Sequence, residues 1–134
     1  MDSKKTDLKK YDVGRFSMQD VFDQVPLELT TITNDTDYEF ESVLTTDEFS
    51  SYCPWTGHPD YATVHIHATI PPGEKIIEQK ALRDWLNLFR SVDAYQEEIT
   101  MAIKHMYLHN CPTADIDVAV SWKGRGGISN VVNC

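Results

Sequence analysis

The chain has few cysteines, no long apolar run and almost no positive charge between residues 11 and 60. Its three cysteines among 134 residues, Cys53, Cys111 and Cys134, cannot all pair within the chain. Their wide spacing matches no zinc ribbon or finger, and no metal site is expected. No stretch approaches the roughly 20 apolar residues needed to cross a bilayer as a helix, which argues against an integral membrane protein. Met1-Asp2-Ser3-Lys4-Lys5 leads into polar residues rather than an apolar segment, so no secretory signal is expected. A reducing cytoplasm with free thiols is then the default. Residues 11 to 60 hold a single base, Arg15, against eleven acids, and the whole chain carries a net charge of −9. That balance excludes a generic binder of the nucleic-acid backbone, which needs a basic face.

What is present fits one domain, large enough for a core but not for two. Residues 1–15 read as a mobile lead-in and 16–134 as the folded unit. Residues 25 to 32 and 38 to 45 read as β-rich, separated by the turn signal Asn34-Asp35-Thr36-Asp37. A loop of aromatic, Pro and Gly residues is expected from Asp47 to Asp60. Residues 61 to 70 form the clearest strand, with Val64, Ile66, Ala68 and Ile70 on one face and Thr63, His65, His67 and Thr69 on the other. Leu82, Trp85, Leu86 and Phe89 then mark one stripe of a helix over about 78–91. Tyr95, Ile99, Ala102, Ile103 and Met106 mark a second over about 94–109, with Asp93 as expected N-cap and Asn110-Cys111-Pro112 as its stop. Ile116, Val118, Val120 and Trp122 alternate as a strand, and a last short strand follows Gly124-Arg125-Gly126-Gly127. The order implies an α+β fold, an antiparallel sheet with both helices on one face.

Several groups are candidates for chemistry. The densest stretch is Asp47 to Asp60, where the Cys53 thiol sits in a Pro- and Gly-punctuated loop seven residues before a carboxylate. A nucleophilic cysteine needs partial exposure and a base or a lowered pKa, and a structural loop cysteine explains the same residues. His65 and His67 share a strand face, as a metal pair would, but no adjacent Cys or carboxylate completes a set, and a polar sheet face is the simpler reading. His105 and His109 raise the same question with less support. Glu97-Glu98 reads as a solvated helix face, and Gly124 to Gly127 as a weak phosphate nest. Cys111 reads as a small buried hydrophobe and Cys134 as part of a frayed terminus.

Together these signals form a pattern. Phe49-Ser50-Ser51-Tyr52-Cys53-Pro54-Trp55-Thr56-Gly57-His58-Pro59-Asp60-Tyr61-Ala62-Thr63 closely resembles the F-x-S-x-C-P-x-T-G-x-P-D-x-A-T signature of the 7-cyano-7-deazaguanine reductases. These are nitrile reductases of queuosine biosynthesis, relatives of GTP cyclohydrolase I in the tunnelling fold. Glu78-Gln79-Lys80-Ala81-Leu82-Arg83-Asp84-Trp85 resembles the family's cofactor motif, and Arg125-Gly126-Gly127-Ile128-Ser129 its R-G-G-I-S segment. The resemblance spans about residues 38 to 130.

The resemblance implies a division of labour. Cys53 would add to the nitrile carbon and form a thioimide, and Asp60 would protonate the developing nitrogen anion. Glu97, with Gln96 and Glu78, would bind the guanine-like substrate. Lys80, Arg83 and Arg125 would face the phosphates of NADPH, which supplies two hydrides. It also implies a ring-shaped homo-oligomer with sites between subunits and a small-molecule substrate, without direct nucleic-acid binding. The chain departs from the family at Gln96, where His is usual, and at Gln79, Arg83 and Asp84 in the cofactor motif. Arg is not a neutral replacement for Lys at a phosphate. An archaeosine-type branch adds ammonia to the same thioimide without a cofactor, so an amidinotransferase-like activity is the alternative. A non-catalytic deazaguanine binder is the third reading.

Overall fold

The structure, a computed structural model, describes residues 14–134. The expected lead-in over 1–15 thus lies almost wholly outside the described residues. The fold is a four-stranded antiparallel sheet in the order β2-β3-β5-β6, with a separate two-stranded ribbon of β1 and β4. The large sheet comprises β2 (Phe40–Tyr52), β3 (Pro59–Ile70), β5 (Asp115–Arg125) and β6 (Ile128–Asn133). The ribbon pairs β1 (Thr31–Thr33) with β4 (Lys75–Ile77). Helices α1 (Met18–Phe22), α2 (Gln79–Leu88) and α3 (Gln96–Asn110) complete the described residues, with a 3-10 turn at Phe89–Ser91 between the last two. This is the expected α+β arrangement.

Strand alternation places the core. Ala62, Val64, Ile66, Ala68 and Ile70 of β3 and Ile116, Val118, Val120 and Trp122 of β5 are all buried. They meet the expected helical stripes, Leu82, Trp85, Leu86 and Phe89 on one side and Ile99, Ala102, Ile103 and Met106 on the other. Trp85 packs edge-on against Phe89 with ring centroids 4.9 Å apart.

Two register shifts decide what faces that core. On β2, Thr46 pairs with Val64 but Phe49 pairs with Ala62, so one extra residue is accommodated. Before the bulge the even-numbered residues of β2 share the face of Ile66 and Val64; after it Phe49 and Ser51 do. On β5, Trp122 pairs with Asn130 but Arg125 pairs with Ile128, a second bulge at the same end of the sheet. The first bulge explains why the expected loop at 47–60 is largely strand. Asp47–Tyr52 continues β2 and Pro59-Asp60 begins β3, leaving only residues 53–58 as loop. A change of phase inside a strand erases the alternation that sequence reading depends on.

Other expectations are corrected by specific hydrogen bonds. Residues 25–30 form no strand, because their backbone is bonded to helices instead. Asn110 Nδ2 donates to Leu27 O (3.0 Å) and Asn110 Oδ1 accepts from Leu29 N (3.1 Å), while Trp85 Nε1 donates to Pro26 O (2.6 Å). Gly126 and Gly127 have φ of 58° and 82° and form the two-residue turn between β5 and β6, not a phosphate nest. Cys134 is not frayed: its N–H and C=O both bond Val118 at 2.9 Å. Cys111 is fully buried, as expected, and burial pushes its thiol up to about 11.

The start of α3 differs most. Its N-cap is Tyr95, not Asp93. Glu98 is not on a solvated face but buried at 1% exposure, where it accepts from Tyr95 N (2.9 Å) and Ser17 N (2.7 Å). One carboxylate thus closes the helix terminus and holds the segment before α1 against α3. Glu98→Ala orphans both donors and is expected to destabilise the fold by about 1–3 kcal/mol. Denaturant melts will show this as a lower midpoint.

Candidate active site

The end of the sheet at which both bulges lie carries the candidate site. Cys53 follows directly after β2, half-buried and with a free thiol. Its loop is tight: Gly57 N donates to Cys53 O (2.9 Å) and Cys53 N to His58 O (3.0 Å). Gly57 adopts a φ of 70°, which a residue with a Cβ resists. The loop is also anchored from outside. Tyr52 N donates to Val92 O (2.9 Å) and Ala94 N to Tyr52 O (3.3 Å), splicing β2 to the connection before α3. Trp55 Nε1 donates to the Tyr95 hydroxyl at 2.9 Å. The thiol loop and the first turn of α3 are therefore held side by side.

Asp60 lies opposite Ser51 in the β2–β3 ladder. It continues the face of Ala62, Val64 and Ile66, so its carboxylate points to the helix side and is 6% exposed. Arg125, brought to that face by the second bulge, donates from Nη1 to Asp60 Oδ1 at 3.1 Å. Burial raises the Asp60 pKa above 3.8, and the Arg125 charge and hydrogen bond only partly oppose it. A carboxyl held toward its neutral form beside a thiol loop is suited to giving up a proton. Ser51, 1% exposed, has a hydroxyl with no hydrogen-bond partner on the same face.

Gln96 and Glu97 occupy the first turn of α3, both half-buried. Gln96 Oε1 and Glu97 Oε2 accept from Asn130 Nδ2 of β6 at 3.0 and 3.4 Å. Asn130 carried no signal in the sequence, since its place is set by pairing with Trp122. Ser51 was legible only as a position within the cysteine signature.

The remaining candidates lie apart from this cluster. Glu78 is the N-cap of α2, its two oxygens accepting from Lys80 N (2.9 Å) and Ala81 N (2.8 Å), and these bonds lower its pKa. Lys80 and Arg83 line a cleft of about 540 Å³ between α2 and the face of β2 and β3, floored by Leu44, Phe49, Val64 and Ile66. Lys80 Nζ donates to Asp84 Oδ2 at 2.8 Å, and that hydrogen bond lowers the Asp84 pKa. Asp84 is exposed and off the apolar stripe. Arg125 does not line the cleft; within one chain the three expected phosphate cations are divided between cleft and acid. His65 and His67 project from the other sheet face, His65 Nδ1 3.2 Å from Thr45 Oγ1 and His67 Nε2 3.3 Å from Glu41.

Comparison with known proteins follows the same residues. The chain matches the family described as QueF-like protein over residues 59–134. It belongs to the QueF-like family. The match takes in Asp60, Lys80, Arg83, Gln96, Glu97 and Arg125 and begins after Cys53. QueF-like relatives of similar size are found among curated proteins. The protein from Chlorobaculum parvum is 36% identical over 96 residues, 72% of this chain and 79% of its own length. That from Thermomicrobium roseum is 36% identical over 108 residues, 78% and 81% of the two chains. That from Thermotoga petrophila is 43% identical over 83 residues, 62% and 60%. Each is named NADPH-dependent 7-cyano-7-deazaguanine reductase.

The raised Asp60 pKa yields a sign for the pH dependence of stability. A carboxyl whose folded pKa exceeds its unfolded value is destabilising once ionised. Asp60→Asn keeps an acceptor for Arg125 and removes that ionisation. Below pH 3.8 the variant is expected to melt with the parent. Its advantage in Tm then grows as pH rises through the folded pKa of Asp60, while turnover is lost. Thermal melts across pH 3 to 7 check it.

Proposed function

We propose that this protein reduces the nitrile of 7-cyano-7-deazaguanine to the aminomethyl group, with NADPH as reductant. The observation that carries the reading is the convergence of the Cys53 loop, the Asp60–Arg125 pair and the Gln96-Glu97 turn at one end of the sheet. The curated relatives named for this reaction support it.

Each residue then has a task. The Cys53 thiol gives up its proton to solvent, its thiolate attacks the nitrile carbon to form a C–S bond, and the displaced C≡N electron pair moves to nitrogen. Asp60, whose pKa burial raises, gives its proton to that nitrogen and leaves a covalent thioimide. Arg125 then stabilises the carboxylate that remains. Glu97 accepts from ring N–H and amino donors of the base, with Gln96 beside it. Glu78 acts indirectly, by capping the helix that carries Lys80 and Arg83. The cleft fits a dinucleotide in kind, with an apolar floor for a flat ring and cations at the rim for phosphate. NADPH, when bound, supplies the two hydrides that take thioimide to amine.

The assembly we propose is a ring-shaped homo-oligomer with sites completed between subunits. Among the described residues no strand pairs with the outer edge of β6 or with that of β2 before Tyr52, and exposed Val43 and Val131 lie on these end strands. No helix among the described residues is long and apolar enough to cross a membrane, and we place the enzyme in the cytoplasm.

Two measurements test the reaction. Intact mass with substrate alone should show a one-substrate adduct that is absent from Cys53→Ala; an adduct on Cys111 would sink the assignment. With both reactants present, two NADPH are expected per amine formed. Flat NADPH absorbance, with a formamidine appearing when ammonia is added, would replace the reductase by the amidinotransferase-like reading.

A further inference from the structure

Adjacent residues on a helix do not face each other; their side chains diverge by about 100° around the axis. Gln96 and Glu97 nevertheless converge, because one group outside the helix holds both. Asn130 of β6 pairs with Trp122 and, like Val132 opposite Val120, faces the helix layer. Its amide nitrogen carries two hydrogens and has two acceptors within reach, Gln96 Oε1 at 3.0 Å and Glu97 Oε2 at 3.4 Å.

We infer that Asn130 is the positioning residue that joins Gln96 and Glu97 into one donor–acceptor reader for the lactam edge of the substrate. The inference rests on the proposed binding of the base by Glu97. Two consequences follow from the inventory of donors and acceptors. With one lone pair of its carbonyl engaged by Asn130, Gln96 keeps both amide N–H groups to offer a ligand. Among the described residues Glu97 Oε1 has no hydrogen-bond partner, and the neutral Asn130 amide beside Oε2 adds no cation to the pair. A donor and a charged acceptor then stand next to each other on one turn. The complementary ligand edge carries a ring carbonyl beside a ring N–H, as a 6-oxo purine-like base does. A base lacking the carbonyl would leave the Gln96 amide unanswered. Unlike an imidazole, that amide does not titrate.

The test measures binding by calorimetry in a Cys53→Ala background, so that no adduct forms, and steady-state kinetics with Cys53 intact. The probes are 7-cyano-7-deazaguanine and its analogue lacking the 6-oxo group. Asn130→Ala should weaken the oxo ligand by about tenfold, as expected for loss of a charge-assisted arrangement. It should also collapse the preference for the oxo ligand over the analogue. KM should rise with kcat within about twofold, since a group that only orients ground-state contacts leaves the chemical step unaltered. Asn130→Asp, of the same shape, places a carboxylate against Glu97 and should weaken binding further. Its unchanged melting profile would exclude a folding defect. If Glu97→Ala abolishes binding while both Asn130 variants keep affinity and ligand preference, the positioning role is wrong and the base-binding reading stands. If Glu97→Ala binds as the parent does, both are wrong.

Discussion

A pleated sheet alternates its side chains with a period of two and offers no half measures: each residue faces either the core or the opposite side. The site depends on this constraint being broken twice at one end of the sheet. The bulge at Asp47-Glu48 turns Phe49 and Ser51 toward the helices and delivers the chain to Cys53 beside them. The bulge at Lys123-Gly124 brings Arg125 to the face where Asp60 is buried. With straight ladders, Asp60 would stand alone on an apolar face, an arrangement with a large desolvation penalty. With the bulges, the same carboxylate has one cationic partner, a raised pKa and a thiol loop for a neighbour. Bulges are common where a sheet must re-aim a side chain.

The helix layer contributes by fixing the second half of the site against the first. Three acids within six residues of one another meet different fates. Asp93 and Glu98 are buried, Glu98 as the cap of the helix, while Glu97 remains half-buried with Oε2 on Asn130. The Glu98 cap and the Tyr52 splice to Val92 and Ala94 make the start of α3 rigid, which a recognition turn requires. The cofactor side shows the opposite economy. Lys80 and Arg83 are exposed on a helix, and Lys80 is already paired with Asp84. A phosphate arriving there exchanges one anion for another in solvent, where ion pairs are weak. In the proposed cofactor site the apolar floor of the cleft would therefore provide much of the binding.

Much of this was legible without coordinates. The helical stripes Leu82/Trp85/Leu86/Phe89 and Ile99/Ala102/Ile103/Met106 and the alternation of residues 64–70 and 116–122 follow from periodicity alone, because tertiary packing obeys the same periods. Cys53 and Asp60 were legible within the cysteine signature, Glu97 by its match to the family and Gln96 as a departure from it, and the structure brings all four to one end of the sheet. The strand over 47–52 was hidden by its change of phase, and the non-strand at 25–30 by bonds to Asn110 and Trp85 from distant sequence.

The sequence by itself determined the residue types, their local periods and the chemistry they could perform: a thiol, an acid, a carboxylate on a helix and a reductase-like motif. Only the tertiary structure decided which atoms those groups would meet. Glu97 and Glu98 are neighbours of one kind, yet one is half-buried against Asn130 and the other is buried on Ser17 N. Arg125 reads as a cofactor cation and is the partner of Asp60. Asn130 reads as nothing in particular and holds two side chains of α3. The reason is physical. Periodicity is written in the covalent spacing of residues, whereas partner choice depends on register between strands and on which helix turn lies above them, neither of which local spacing encodes.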